Sequence, residues 1–136
     1  MARSNLRRAS VILEEAQSLH ARGAWNLVVR RAQEAVELAL KGCLLWASIE
    51  VPHMHDVGVI LRQHHDRFPA WFGEQIPLLV SVSRALAAER ERSFYGDERI
   101  GLPPEALYGE FDASEALEKA ASAVQICRSL VEAPGH

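Results

Sequence analysis

The segment from Glu89 to Arg99 concentrates the side chains of this chain that could do chemistry. Three arginines, four acids and a tyrosine occur there within eleven residues. A guanidinium group presents paired donors that fork onto a phosphate, so Arg92 and Arg99 are candidate phosphate ligands. Tyr95 could donate to a phosphate oxygen or a base, and Gly96 lets the backbone approach a ligand closely. The same residues also suit a plain helix C-terminus with favourable cations, followed by a turn.

Histidines form the second candidate group, at positions 53, 55, 64 and 65. Their spacing matches no standard pair of helical metal ligands, and no cysteine or carboxylate cluster completes a site. His64 and His65 are adjacent on a predicted helix and point about 100° apart, which suits the bundle surface. We therefore predict no metal. The sequence has neither a Gly-rich phosphate loop nor a Gly-x-Ser-x-Gly elbow, so we predict no cofactor and name no catalytic residue.

Length and net charge limit the classes of protein to which this chain can belong. A chain of 136 residues predicts a single domain spanning 1–136, with its core at about 5–131. A domain of this size buries roughly 68% of its unfolded surface, which is enough for one core without metal or disulfide. The formal net charge of −3 excludes a uniformly basic surface for nucleic acid. Any contact with RNA must therefore be local.

The cysteines and the apolar runs indicate the compartment. Cys43 and Cys127 lie on apolar faces of predicted helices, as buried free thiols of a cytosolic protein do. The N-terminal residues 1–5 lack the apolar stretch of a signal peptide. The longest apolar run, Cys43 to Ala47, is far too short to cross a bilayer. We expect a cytoplasmic protein without membrane contact.

Helical periodicity shows which elements must position the candidate residues. Apolar residues that recur every three or four positions predict five helices, at Asn5–Ala21, Ala24–Ser48, Asp56–Asp66, Glu74–Arg92 and Asp112–Glu132. No alternation of period two predicts a strand. We therefore predict an all-α fold, an antiparallel up-and-down bundle of four long helices and one short helix.

Details of the pattern refine these elements. Leu38 and Leu45 widen the apolar surface of the second helix, which suits a central bundle helix or a dimer interface. Asp56 and Asp112 are the predicted N-caps of their helices. The stretch 95–111 contains three glycines and two prolines and is predicted to be a long loop, whose length suggests function or disorder.

Several segments, taken in order, resemble the HEPN family, small helical-bundle domains of bacteria and archaea. Residues 30–41 look like the second helix of the family, and residues 55–58 resemble the His-initiated start of its next helix. Residues 92–97 fall at the end of a later helix, where the family keeps its functional polar motif. Tyr108 and the alanine-rich last helix complete the order. The resemblance covers roughly residues 5 to 131.

The resemblance implies a homodimer in which the motifs of two protomers face one cleft. It also implies three kinds of activity. Many members are metal-independent ribonucleases, often toxins of toxin–antitoxin systems. Others pair with a separately encoded minimal nucleotidyltransferase, and still others bind nucleotides or partner proteins.

One departure from the family pattern decides between these activities. The ribonuclease motif is an arginine, four to six residues and then a histidine, and no histidine follows Arg84, Arg90 or Arg92 at that distance. Cleavage by the RNA 2′-hydroxyl needs a group that exchanges protons near neutral pH. Histidine does so with a pKa of roughly 6.5, whereas a tyrosine, at roughly 10, does not. The missing histidine therefore favours binding over catalysis.

The sequence thus predicts a nucleotide- or RNA-phosphate-binding module, one component of a two-component system with a minimal nucleotidyltransferase. Its predicted ligand-binding residues include two arginines for phosphate, a tyrosine and an aspartate for base, ribose or partner, and a glycine that shapes the turn: Arg90, Arg92, Tyr95, Asp97 and Gly96. His55 would brace the loop, and Lys41 is a further phosphate candidate. The alternative is a divergent metal-independent ribonuclease toxin that uses Arg92 and Tyr95.

Overall fold

The computed structural model describes residues 1–51, 56–95 and 101–134, with the backbone alone at 90–95 and 104. The described residues contain no β-strand. Their α-helices, in chain order, are α1 (Ala2–Ala21), α2 (Trp25–Trp46), α3 (Val57–Gln63), α4 (Ala70–Gly73), α5 (Ile76–Tyr95), α6 (Pro104–Leu107) and α7 (Glu110–Val131). A single 3₁₀ turn at His65–Arg67 follows α3. The all-α prediction is confirmed.

The four long helices, α1, α2, α5 and α7, alternate in direction. Near the start of α1, the Asn5 side chain donates to the Leu38 carbonyl late in α2, so these two helices are antiparallel. Near the end of α1, His20 Nε2 lies 2.8 Å from Ser114 Oγ at the start of α7. The segments between α2 and α5 lie near the end of α2, where Phe68 stacks on Trp46, and the Tyr108 hydroxyl just before α7 donates to the Glu89 carbonyl late in α5. The predicted up-and-down arrangement is therefore confirmed.

Helix α2 is the centre of the bundle, because it packs against α1, α5, α7 and α3. Its apolar stripe is buried as predicted, and its most buried members are Val28, Val29, Ala32, Val36, Ala39 and Cys43. Leu38 and Leu45, which widen the predicted apolar surface, are both half-buried, and Leu38 packs against the core. This burial on several sides identifies α2 as the central helix of the described bundle.

A glycine sets the approach of α1 to α2. A Cβ added at Gly42 would overlap the Leu6 side chain and would lie 3.2 Å from Asn5 Cβ and 3.3 Å from the Ala2 carbonyl. Leu6 is fully buried and Asn5 is 7% exposed, so neither has free space to move into. The missing side chain therefore lets the two helices lie close together.

Asp56 caps α3 as predicted, because its Oδ1 accepts from the Gly58 amide at 2.9 Å. The cap predicted for the last helix is wrong. Helix α7 begins at Glu110, with Gly109 as its N-cap. Asp112 is the third helical residue, and its carboxylate reaches back to the Gly109 amide at 3.0 Å. An aspartate at this position accepts from the amide of the N-cap residue, whereas an N-cap side chain accepts from the amide of the second or third helical residue.

The long loop predicted at 95–111 is also wrong in part. Tyr95 still belongs to α5, α6 forms a turn inside the stretch, and α7 begins before it ends. Tyr108 is 7% exposed and its hydroxyl donates to the Glu89 carbonyl at 2.7 Å. This bond fastens the approach to α7 onto α5, so the described part of the stretch is anchored rather than loose.

The aromatic stretch 68–73 after α3 contains α4 and contributes side chains to the core. Phe68 stacks on Trp46 with ring centroids 6.0 Å apart, and Phe72 lies 4.9 Å from Phe68. Phe72 is fully buried. The turn therefore closes the end of the bundle near the C-terminus of α2. Within the described ranges, no helix has the length and apolar character that crossing a membrane requires.

Candidate ligand-binding cleft

A polar cleft of about 330 Å³ opens between α2, the start of α3 and the middle of α5. Its walls are formed by residues from all three helices, namely Gln33, Glu37, Asp56, Val57, Ser83, Arg84 and Ala87. The helix that supplies Ser83, Arg84 and Ala87 continues directly into the arginine-tyrosine segment. The cleft therefore lies on the same helix as the predicted site, a few residues before it.

One wall of the cleft is a row of polar side chains along α2. Gln33 Nε2 donates to Glu37 Oε2 at 3.1 Å, and Lys41 Nζ lies 3.3 Å from Glu37 Oε1. The three residues are four positions apart, so they lie on one face of the helix. Lys41, predicted as a phosphate ligand, is thus held beside the cleft by Glu37. The lysine and glutamate side chains are 36% and 44% exposed, and such pairs contribute only about 0.3–0.5 kcal/mol.

Gln33 also carries an unmet acceptor. Its Oε1 is buried and has no hydrogen-bond partner in the described part of the chain. A buried polar atom without a partner costs about 1–3 kcal/mol, and ordered water or a ligand donor is the usual remedy. A hydrogen-bond donor from a ligand or an ordered water in the cleft would therefore satisfy Gln33 Oε1.

The opposite wall of the cleft includes a cationic side chain, Arg84. Arg84 Nε lies 3.8 Å from Asp56 Oδ2, while the other oxygen of Asp56 caps α3. The Arg84 side chain is 53% exposed, and its terminal nitrogens have no described partner. Because the guanidinium has five donors, this loose pair leaves most of them for a ligand. Asp56 holds the base of the side chain and Arg84 presents its fork to the cleft.

Arg84 is not among the residues predicted to bind a ligand, and neither are Gln33 and Ser83. One feature of the sequence could have pointed to Arg84 as a site residue. It lies eleven residues before Tyr95, which is close to three full helical turns. Positions 84 and 95 therefore lie in line along α5, once that helix is known to extend through Tyr95. The apolar pattern predicts that this helix ends at Arg92. A helix that ends there does not include position 95, so its alignment with Arg84 could not be seen from the sequence.

The extension of α5 also bears on the predicted arginines. The backbone at Arg90, Arg92 and Tyr95 belongs to the last turns of α5. Positions 90 and 92 are about 200° apart around an α-helix, so they lie on different sides of α5. The side chains at 90–95 are not described. Gly96, Asp97 and His55 lie outside the described residues.

A second depression, of about 260 Å³, lies on the other side of α5 against α7. Its polar walls include Glu89, Asp112, Glu115 and Lys119, and Lys119 is already 2.9 Å from Glu115. Three carboxylates against one paired lysine repel a phosphate. Of these two polar depressions, the one that contains Arg84 is therefore the better candidate for an anionic ligand.

The cysteines take no part in either depression. Cys43 and Cys127 are free and fully buried, as predicted. Burial, and then the neighbouring Cys127 thiol, raise the pKa of the Cys43 thiol well above its ordinary value. A thiol in this state holds little thiolate at neutral pH, so Cys43 is a core residue and not a nucleophile.

Comparison with known proteins agrees with this architecture. The family model of the HEPN domain matches residues 2–130. The crystal structure of ST0689, an archaeal HEPN homologue, matches with a TM-score of 0.68 at 20% sequence identity, over 96% of this chain and 98% of that chain. The crystal structure of TT1696 from Thermus thermophilus matches with a TM-score of 0.64 at 25% identity, over 94% and 96% of the two chains. No curated protein matches the sequence. Since the family match spans nearly all of the bundle, the chain belongs to the HEPN domain family.

Proposed function

We propose that this HEPN protein is a binding module that holds a nucleotide, or a phosphate of RNA, in the cleft between α2, α3 and α5. The observation that carries the proposal is the half-exposed Arg84 guanidinium, held at its base by Asp56 and facing the polar row on α2. A guanidinium with free donors is a common protein ligand for a phosphate.

The charges of the cleft suggest how a nucleotide lies in it. Glu37 and Asp56 are acceptors and repel phosphate oxygens, whereas they accept from ribose hydroxyls or from amino groups of a base. Gln33 Oε1 is a further acceptor that lacks a partner among the described residues. The nucleoside therefore lies toward α2, and the phosphate lies on Arg84 and along α5 toward Tyr95. Lys41 is placed to add a second cation at the edge.

The chemistry of the chain favours binding over cleavage. No arginine in the sequence is followed by a histidine after four to six residues. The described walls of the cleft include no histidine, the side chain whose ordinary pKa lies nearest to neutral pH. The alternative is a divergent metal-independent ribonuclease that uses Arg92 and Tyr95. We test this alternative as well, because position 95 lies in line with Arg84 along α5.

Membership of the HEPN family supports two further parts of the proposal. We propose that the protein is a cytoplasmic homodimer, and that it works with a separately encoded minimal nucleotidyltransferase. A cleft that binds nucleotide on the HEPN protein would then lie close to the nucleotide chemistry of its partner.

The test is isothermal calorimetry of the purified protein with AMP, ATP and a short single-stranded RNA. Arg84→Gln should weaken binding by about tenfold or more, since hydrogen bonds to a charged group contribute about 1.5–3 kcal/mol. Arg62→Gln, an exposed arginine of α3 outside the cleft, is the matched control and should bind as the wild type does. Absence of binding to all three probes, or equal binding by Arg84→Gln, would refute the proposal.

RNA cleavage decides between the two candidate functions. The same RNA is incubated with the protein in EDTA, beside Arg92→Ala prepared identically. Intact RNA with both proteins agrees with a binding module. Cleavage by the wild type that is lost in Arg92→Ala would establish the ribonuclease instead.

A further inference from the structure

The first three turns of α1 carry an excess of positive charge. Residues 1–13 contain three arginines and no acid, in a chain whose formal net charge is −3. Arg3, Arg7 and Arg8 are exposed, and none of them forms an ion pair with a described residue. Arg3 lies in the first turn, where a cation opposes the helix dipole. These arginines therefore do not stabilise the isolated helix, and their donors are available to an anionic ligand.

Two of these arginines flank an apolar groove on the outer face of α1. This α1 groove has a volume of about 290 Å³ and is lined by Arg7, Arg8, Val11 and Ile12. Val11 is 53% exposed, so the floor of the groove is open to solvent. Arg7 and Arg8 are neighbours in the chain and point about 100° apart, so they lie on either side of Val11. The groove therefore presents an apolar surface between two guanidinium groups.

This combination fits single-stranded nucleic acid. A guanidinium forks onto a phosphate and also stacks flat on a base. Proteins that hold single strands combine a cationic track for the backbone with a surface against which bases pack. The three arginines supply the track, and Val11 with Ile12 supplies an apolar surface for a base or ribose.

The length of the cationic strip sets the length of strand that it can hold. Arg3, Arg7 and Val11 are spaced four positions apart, so they lie along one side of α1 over about 12 Å. A stacked strand rises about 3.4 Å per nucleotide, so this strip matches about three nucleotides. Three arginines are therefore in proportion to the phosphates that pass over them.

The start of α1 lies beside the edge of the nucleotide cleft. A Cβ added at Gly42 would lie 3.3 Å from the Ala2 carbonyl, so these two backbones are in contact. Lys41 precedes Gly42 and Arg3 follows Ala2, which places the Cα atoms of Lys41 and Arg3 within about 11 Å of each other. Lys41 in turn lies 3.3 Å from Glu37, a wall of the cleft. The arginines of α1 thus continue the positive charge that begins at Lys41.

We propose that the α1 groove binds the backbone of a single-stranded RNA that also occupies the cleft. Arg3, Arg7 and Arg8 hold successive phosphates, and Lys41 bridges the groove and the cleft. This inference rests on the proposed function and names its ligand as an RNA strand of several nucleotides rather than a free nucleotide. A mononucleotide in the cleft does not reach α1, so its binding is independent of these arginines.

The experiment is fluorescence anisotropy of the full chain with a labelled single-stranded RNA of about ten nucleotides, between about 50 and 200 mM salt. A variant that combines Arg3→Gln, Arg7→Gln and Arg8→Gln should bind this RNA at least about tenfold more weakly at the lowest salt. The slope of log K against log salt should fall by about 2, because each phosphate contact on a single strand contributes about 0.7. Its affinity for AMP, measured by calorimetry, should equal that of the wild type.

Two further proteins control for net charge and for the groove. A combination of Arg22→Gln, Arg62→Gln and Arg128→Gln removes the same charge from other parts of the bundle and should keep the RNA affinity and slope nearly unchanged. Val11→Glu keeps the three arginines but puts a like charge for phosphate on the floor of the groove. It should weaken RNA binding about threefold, with AMP binding unchanged.

The outcomes separate this inference from the proposed function. Loss of RNA affinity and slope in the α1 variants alone, with AMP still bound, supports the inference. Equal RNA binding by the wild type and the triple variant, an equal loss in the charge control, or loss of AMP binding in the triple variant overturns it. Poly-L-glutamate that binds the wild type but not the triple variant, while RNA binds both equally, would assign the groove to an acidic protein instead. If AMP binds through Arg84 but RNA binds no tighter than AMP, the proposed function stands and only the α1 groove falls, whereas absence of binding to both probes refutes both.

Discussion

Replacement of Gly42 by alanine sets two known effects against each other. Alanine is favoured over glycine inside a helix by about 1 kcal/mol. The added Cβ, however, overlaps the Leu6 side chain and lies 3.2 Å from Asn5 Cβ and 3.3 Å from the Ala2 carbonyl. Overpacking of this kind costs about 1–3 kcal/mol, and more where the obstructing atoms cannot move. Leu6 is fully buried and one obstacle is backbone, so we expect the overlap to win.

The expected loss of stability is about 1–2 kcal/mol. With a urea slope of about 2 kcal/mol per molar, the unfolding midpoint of Gly42→Ala should fall by about 0.5–1 M. Gly73→Ala is the matched control, because its nearest atom, the His65 carbonyl, is 3.9 Å from the added Cβ. That variant should stay within about 0.5 kcal/mol of the wild type.

A double-mutant cycle shows whether the overlap is the cause. In a Leu6→Ala background the closest obstruction is gone and only the contacts with Asn5 and the Ala2 carbonyl remain, so Gly42→Ala should cost clearly less there, although Leu6→Ala itself costs about 2–5 kcal/mol. An unchanged midpoint for Gly42→Ala in the wild-type background would refute the reasoning. It would mean that α1 shifts freely on α2 and that their close approach is not fixed by this residue.

Three other predictions concern single groups. Asp56→Ala should cost about 1 kcal/mol in urea unfolding through loss of the α3 cap, whereas Asp56→Asn, which keeps a capping oxygen, should cost clearly less. An equal loss in both would contradict the capping role. Tyr108→Phe should lose about 1 kcal/mol and increase hydrogen exchange near Glu89, and unchanged exchange would show that the bond does not anchor this segment. Above the ordinary thiol pKa of about 8.5, unfolded protein loses the Cys43 proton while folded protein keeps it, so stability should fall as pH rises. Cys43→Ala should flatten that fall, and an identical pH profile would exclude this cause.

The helices could be predicted from the sequence because each long one buries a continuous stripe. The wide stripe of α2 suited either a central helix or a dimer interface, and the packing of α2 against α1, α3, α5 and α7 shows that it is central. The end of α5 could not be placed in the same way, because the residues after Arg92 are polar and aromatic and carry no stripe. The N-cap of α7 was misplaced for a related reason. An aspartate suits both the N-cap and the third helical position, and only the structure shows that Gly109 precedes the helix.

The cleft was harder to predict than the fold. Gln33 and Glu37 come from α2, Asp56 from the start of α3, and Ser83 and Arg84 from α5, so they are far apart in the chain. Each of them reads in isolation as an ordinary exposed residue of an amphipathic helix. Their meeting depends on how α2 packs against α5, and periodicity does not specify that pairing. The neighbouring arginine-tyrosine segment was predicted from its locally dense composition, and its binding role stays a prediction.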